Sequence, residues 1–454
     1  MKKEILAAAM CGVFAVGVAS AICASGASGV VGVAGSVGAV GAVGAAGGDV
    51  DFDKSFNDST LRVDYVLAGN ADNSAVYIKR QSKTPGWYGR RHNLDKLPYT
   101  GNGIITMTDA ATGDTIYRHP FSTLFSEWQS TDEAKETNKA FENSFILPLP
   151  KGDTDITIEL LDKYHKSVAK NRHRYRPDDV LVAQKPMTPY EVRRLHQGGD
   201  PKEVIDIAIL AEGYTKPEME KFFTQAQKVV DAIFSHEPFK SRAKDFNFTA
   251  VGSESAQSGV STPKNNDWRN TLLGSHYSTF YSDRYLTAAN EGSIHDALTG
   301  VPYENIIVLA NAESYGGGGI YNSYTLTTAG HETFTVVCVH EFGHGFGGLC
   351  DEYFYDDDVM SGSYPLDVEP WEPNITTLVD FDSKWKGMLK PGTPIPTPVA
   401  DKEKYPVGVY EGGGYTSKGV YRPADECRMR NNTWPTFCPV CDAALNKLID
   451  FYTK

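Results

Sequence analysis

The chain has 454 residues and a formal net charge of −13, from 57 acidic against 44 basic side chains. That length supports two packed cores, and so acidic a balance argues against a nucleic-acid partner. In chain order, Lys2 and Lys3 come first, followed by a charge-free apolar run from Ile5 to Ile22. This pattern predicts a signal peptide over residues 1–22, with Ala19-Ser20-Ala21 as its cleavage signal. Residues 23–50 read as a low-complexity Gly/Ala/Val tether, too rich in glycine and small side chains to fold. Cys11 and Cys23 raise the option of a lipidated cysteine acting as a membrane tether, although neither lies in a good lipobox. The expected location is secreted, periplasmic or at the cell surface.

Residues 51–190 carry short alternating runs separated by turn residues: LRVDYVL, AVYIKRQ, GIITMTD, DTIYRH, SFILPLP, DITIELL and VLVAQ. Such spacing predicts a β-sandwich. Trp87, Tyr88 and Trp128 are expected in its core rather than on a ligand, and the basic run KNRHRYR from Lys170 to Arg176 reads as a solvated loop. Pro186, Pro189 and the polar run from His196 to Lys202 mark a boundary. Beyond it, residues 200–454 read as one α/β domain. IDIAILAEGY, FNFTAVGSES and NIIVLAN are buried strands there, and Pro217 to Phe234 is an amphipathic helix. The fold class is therefore mixed α+β, with a β-sandwich followed by an α/β domain.

The segment YGGGGIYN, Tyr315 to Asn322, lacks the Lys-Ser/Thr of a phosphate loop. Its bare backbone suits a sharp turn into an exposed strand, Ile320 to Thr327, able to pair with an extended peptide. Gly317, Gly318, Ile320 and Tyr321 are thus candidate substrate-binding residues.

The most informative stretch follows, VVCVHEFGHGFGGLCDEY from Val336 to Tyr353. His340 and His344 fall one helical turn apart on the same face, so both imidazoles can reach one zinc while Glu341 stands beside it as general base. Gly343 and Gly345 are expected to end the helix, and Gly347-Gly348 to turn the chain back toward the metal. The spacing resembles the metzincin pattern HExxHxxGxxH/D. Strict register puts the third ligand at Cys350, but ligand preference favours Asp351, one residue later, with Glu352 and Cys350 as alternatives. Downstream, Met429 is a candidate for the methionine turn beneath the metal. Tyr353, Tyr415 and Tyr421 are candidates for the oxyanion-stabilising phenol. The acidic run Asp356-Asp357-Asp358 offers oxygens for a Ca2+ ion, against the commoner reading of a solvated loop.

Five cysteines follow the tether: Cys338, Cys350, Cys427, Cys438 and Cys441. CPVC with Cys427 supplies three thiols and no nearby histidine, an incomplete four-ligand metal site. In an oxidising compartment a disulfide between Cys427 and one of the CPVC pair is expected instead. Taken together, HEFGHGFGGLCDEY, YGGGGIYN, FSTLFSEWQST and the downstream CRM with FCPVC resemble the bacterial IgA-protease-type zinc metallopeptidase family. The resemblance implies a β-rich N-terminal domain and a metzincin-like zinc peptidase domain. It further implies an endopeptidase that cuts extracellular proteins, host and immunoglobulin-like ones included, with His340, His344 and Asp351 on zinc and Glu341 as base. A zinc amidase or exopeptidase, or a surface binding protein with a structural metal, are the alternatives.

Overall fold

A computed structural model describes residues 49–354 and 364–454. The expected signal peptide and tether, with Cys11 and Cys23, lie outside the described residues, as do Asp356, Asp357 and Asp358. After a single turn, α1 (Phe52–Ser55), the chain enters β1 (Phe56–Gly69) and β2 (Ser74–Pro85). It continues through β3 (Gly103–Asp109), β4 (Thr115–Phe121), short helices α2 (Leu124–Trp128) and α3 (Asp132–Glu136), and β5 (Lys139–Pro150). Next come β6 (Thr154–Leu161), β7 (Ser167–Tyr175) and β8 (Ala183–Gln184). These strands form two four-stranded sheets, ordered β5-β1-β2-β8 and β4-β3-β6-β7. Leu61, Val63, Tyr65 and Leu67 of β1 share one core with Ile105, Met107, Ile156 and Ile158 of the other sheet, and Trp87 and Trp128 are buried in it.

The opposite face of β1 is not left to solvent. Arg62 and Asp64 are buried there, and Arg62 reaches Asp296 Oδ1 at 2.6 Å and donates to the carbonyl of Gly292 at 3.0 Å. Both partners belong to α5 (Glu291–Ala297) in the second half of the chain, which follows α4 (Met219–Ile233). Asp49 to Lys454 accordingly form one compact unit.

The second half is built on a six-stranded sheet of β9 (Glu191–Gln197), β10 (Ile205–Glu212), β11 (Phe246–Gly252), β12 (Asn305–Ala310), β13 (Gly317–Gly319) and β14 (Thr325–Thr328), ordered β13-β14-β12-β10-β11-β9. The four central strands run parallel and the two edges antiparallel. Two-residue alternation sorts their apolar side chains onto opposite faces. Ile205, Ile207 and Ile209 pack with α4, α6 (Phe334–Gly345) and α7 (Pro439–Thr453), whereas Ala208 and Leu210 pack with Ile294 and Leu298. On α4 the buried residues Met219, Phe222, Phe223, Ala226, Val229, Val230 and Ile233 recur at helical spacing, which fixes the face it lays on the sheet. A hairpin of β15 (Tyr410–Gly413) and β16 (Thr416–Arg422) completes the fold.

Three expectations need correction. The run His196 to Lys202 is not purely a linker, because His196 and Gln197 end β9, an edge strand of the second sheet. VLVAQ forms only the two-residue β8, with Val180 and Leu181 exposed at 93% and 83%. The basic run is a strand, not a loop: along β7, Arg172 and Arg174 pair with Asp155, while His173 turns inward to the Tyr65 hydroxyl at 2.7 Å.

Candidate active site

Helix α6 ends at Gly345, as expected, but carries Gly343 inside it. The reason is packing. A Cβ on Gly343 would lie 2.6 Å from the sulfur of Met429, so this position must be bare for the buried thioether to sit against the helix between His340 and His344. Beyond α6 the chain turns at Gly348, which has φ +61, and delivers Asp351 back to the histidines.

His340 Nδ1 donates to the carbonyl of Arg428 at 2.9 Å, and His344 Nδ1 to that of Leu349 at 2.6 Å. A carbonyl only accepts, so each Nδ1 carries a proton, which leaves each Nε2 as the atom that could present a lone pair to a metal. The two Nε2 atoms lie 3.1 Å apart, and Asp351 Oδ1 stands 3.0 Å from His340 Nε2 and 3.3 Å from His344 Nε2. Burial opposes charge on His344, but Asp351 outweighs it and pulls the imidazole up to about 9. Burial also pushes Asp351 upward, yet the two imidazoles more than reverse it and hold its carboxyl well below the usual range. Positive charge is therefore favoured where these three donor atoms converge, and together they could hold a metal ion.

Glu341 sits on the same helix with its pKa raised, by burial first and by Asp351, against the opposing pull of the histidines. The Tyr415 hydroxyl donates to Asp351 Oδ2 and so is committed to orienting that carboxylate. Tyr353 packs edge-on to Tyr415 at 5.4 Å, and the charges of Asp351 and Glu341 both act on it. Tyr421 lies on β16 with its main chain paired to Thr376; among the described residues no contact joins it to the histidines, Glu341 or Asp351.

Two of the expected alternative ligands point elsewhere. Cys350 donates its N–H to Asn374, and its sulfur lies 3.2 Å from the Tyr364 hydroxyl. Glu352 is buried on the far side of the turn, where Asn374 Nδ2 reaches Oε1 at 3.0 Å and Cys441 Sγ lies at the same distance. The expected disulfide is not formed: all five described cysteines are free thiols.

The glycine segment also differs from expectation. Gly317–Gly319 is itself the edge strand, paired antiparallel with β14, while Ile320 and Tyr321 are buried. The Tyr321 ring packs at a tilt against Trp371 at 5.2 Å, and Thr325–Thr328 is an inner strand, so the segment Ile320 to Thr327 is not an exposed edge. A Cβ on Gly319 would fall 2.2 Å from the carbonyl oxygen of Glu341, and one on Gly317 would fall 3.3 Å from its Oε1. The bare strand thus lies directly against the helix that carries the histidines. Gly317 also bridges to Tyr285 on its outer side.

Two groups near the site carried no readable signal of their own. Tyr315 feels both Glu341 and Asp351 and is raised to about 12, chiefly by burial. Glu127, on α2 of the N-terminal region, accepts from the Tyr285 hydroxyl and is raised to about 7 by burial, with the charges of His344 and Glu341 acting on it. Within FSTLFSEWQST nothing distinguishes Glu127 from any surface glutamate, because its role depends on how the two halves of the chain dock.

Two imidazoles one turn apart and a returning carboxylate, with a glutamate beside them, could hold a metal ion, an arrangement suited to metal-dependent hydrolysis. The comparison with known families agrees. The family described as IgA Peptidase M64 matches residues 194–406 and 399–449, and that described as Peptidase M64 N-terminus matches residues 51–171. The chain belongs to this M64 peptidase family, a family of metallopeptidases acting on protein or peptide substrates. No curated protein matches it.

Proposed function

We propose that the protein is a secreted, zinc-dependent metalloendopeptidase with a metzincin-like catalytic region, in which His340, His344 and Asp351 hold the metal and Glu341 is the catalytic base. The observation that carries this reading is the triangle of donor atoms with sides of 3.0, 3.1 and 3.3 Å. Tetrahedral zinc with bonds of about 2.0 Å places neighbouring donors roughly 3.3 Å apart. Asp351 Oδ1 is buried with no hydrogen-bond donor among the described residues, so a cation is the partner that suits it. Three protein donors leave a fourth position for water or substrate, as catalytic rather than structural zinc requires.

When bound, zinc supplies Lewis acidity toward a water and the scissile carbonyl. The side chains of this protein do the rest. Glu341, its pKa raised by burial, takes the proton of the attacking water and passes it to the departing amine. Tyr415 holds Asp351, and Met429 supports the floor of the site. Tyr353 and Tyr315 are the phenols that feel both Glu341 and Asp351, which favours them for steadying the oxyanion. Past the Gly317–Tyr285 bridge, the bare edge at Gly318 and Gly319 is suited to main-chain pairing with an extended peptide. Gly347, Asp351 and Met429 in this order support the metzincin-like reading, and the basic start with its apolar run supports secretion.

The test is cleavage of an end-blocked, internally quenched peptide library by the purified protein, with its zinc content measured alongside. Turnover that chelation stops, zinc restores and Glu341→Gln abolishes is the expected outcome. Full activity of Glu341→Gln would overturn the mechanism, and release of terminal residues alone would make the enzyme an exopeptidase. The family's description makes immunoglobulin A the first protein substrate to try.

A further inference from the structure

We propose that the chain holds a second metal ion, a structural zinc, between Cys427, Cys438, Cys441 and Glu352. The three sulfurs and a Glu352 carboxylate oxygen all lie within 4.8 Å of one another, and all four residues are buried. Cys427 Sγ and Cys441 Sγ are 3.8 Å apart, and Cys441 Sγ is 3.0 Å from Glu352 Oε1. A tetrahedral zinc with Zn–S bonds of about 2.3 Å sets its sulfurs roughly 3.8 Å apart. A disulfide would bring a pair to about 2.05 Å.

The surroundings are those of ligating thiolates. The Cys438 N–H donates to Cys427 Sγ at 3.2 Å, and the Cys441 N–H to Cys438 Sγ at 3.5 Å. Cys438 caps the N-terminus of α7, where the helix dipole favours negative charge, and the buried Arg422 guanidinium lies within reach of the Glu352 charge. Glu352 presents the decisive atom: its Oε2 is buried and has no hydrogen-bond partner among the described residues. A carboxylate packed among three thiols with an orphaned oxygen is costly unless a cation satisfies it. Three sulfurs select a thiophilic divalent ion, and four protein donors close the coordination sphere, so this ion binds no substrate.

Such an ion would pin three distant segments together. Glu352 adjoins Asp351, Cys427 lies two residues before Met429, and Cys438 and Cys441 open α7. It would therefore hold both the third histidine-site donor and the methionine turn in place without touching substrate.

The experiment counts metal in the full-length protein and in the double variant His340→Ala/His344→Ala, and repeats both after cobalt exchange. Two zinc ions per wild-type chain and one in the histidine variant are expected, with that variant keeping a sulfur-to-cobalt charge-transfer band. Cys438→Ser/Cys441→Ser should lose the band, and the histidine variant answers the question alone if the serine variant does not fold. A disulfide among Cys427, Cys438 and Cys441 on non-reducing peptide mapping would overturn the proposal, as would a histidine variant without bound metal. A wild type with one zinc that survives His340→Ala/His344→Ala would uphold this site and sink the proposed catalytic one.

Discussion

Asp351 and Glu352 are adjacent in sequence, yet their carboxylates serve opposite clusters: Asp351 Oδ1 stands 3.0 Å from His340 Nε2, and Glu352 Oε1 stands 3.0 Å from Cys441 Sγ. The backbone here is held from two sides, the Asp351 carbonyl accepting from the Gly414 N–H at 2.9 Å and the Glu352 N–H donating to the Met429 carbonyl at 2.9 Å. Asp351→Ala is expected to lower kcat/KM by at least about 10³-fold, since a donor beside the reacting centre is gone, while the melting temperature moves little. Glu352→Gln should show the reverse balance, with a larger loss of melting temperature than of turnover. Kinetics and thermal melts on the two variants side by side check this, and a Glu352→Gln variant that is the more damaged in turnover would show the two carboxylates to be assigned the wrong way round.

Tyr415 is expected to act through Asp351 rather than on substrate. Its hydroxyl is the donor to Asp351 Oδ2, and hydrogen bonds of this kind fix a ligand's orientation. Tyr415→Phe should weaken zinc affinity and activity by roughly 10- to 100-fold, with much of the activity recovered in excess zinc. Zinc titration of the chelated protein is the measurement. If activity fell with unchanged zinc affinity, the phenol would be acting on the reaction directly.

These two residues also show how far the sequence could be read. His340, Glu341 and His344 were legible because helical periodicity alone puts two imidazoles on one face. The return of Asp351 to the histidines was legible because carboxylate preference breaks the tie that strict register leaves with Cys350. The thiol cluster was not, because its fourth member lies 89 residues before Cys441 and no local pattern announces a contact over that distance. Local propensity misled at Gly343, where packing against Met429 keeps a poor helix former inside α6. It misled again over β7, whose alternation is between ion-paired arginines and an inward His173 rather than between polar and apolar residues.

Gly319 should tolerate no side chain. Its missing Cβ leaves room for the Glu341 carbonyl oxygen at 2.2 Å and the His344 Cβ at 2.9 Å, and neither can move without shifting the helix that carries the histidines. Gly319→Ala is expected to destabilise the fold by roughly 1–3 kcal/mol and to depress activity beyond what the lost stability explains. Gly152→Ala, with nothing within 4 Å of its added Cβ, is the control expected to change neither. Urea unfolding with activity measured well below the transition separates the two effects; normal activity in folded Gly319→Ala would remove the strand from the site.

Glu291 makes the stability of the molecule depend on pH where its two halves meet. Its carboxylate accepts from Asn143 Nδ2 at 3.0 Å and from the Ser144 N–H at 3.1 Å, yet burial raises its pKa from 4.5 to about 7. The folded state therefore holds a proton that the unfolded state has released between these values. Stability from this group falls as pH rises through that window. Glu291→Gln keeps the acceptor oxygen and removes the charge, and its amide can donate to Asn143 Oδ1, which has no partner among the described residues. The variant should match the wild type near pH 4.5 and exceed it at pH 8 by roughly 1–3 kcal/mol. Chemical denaturation at the two pH values gives the difference directly. An advantage confined to the acid side, or one that does not change with pH, would mean that Glu291 is ionised in the folded protein throughout.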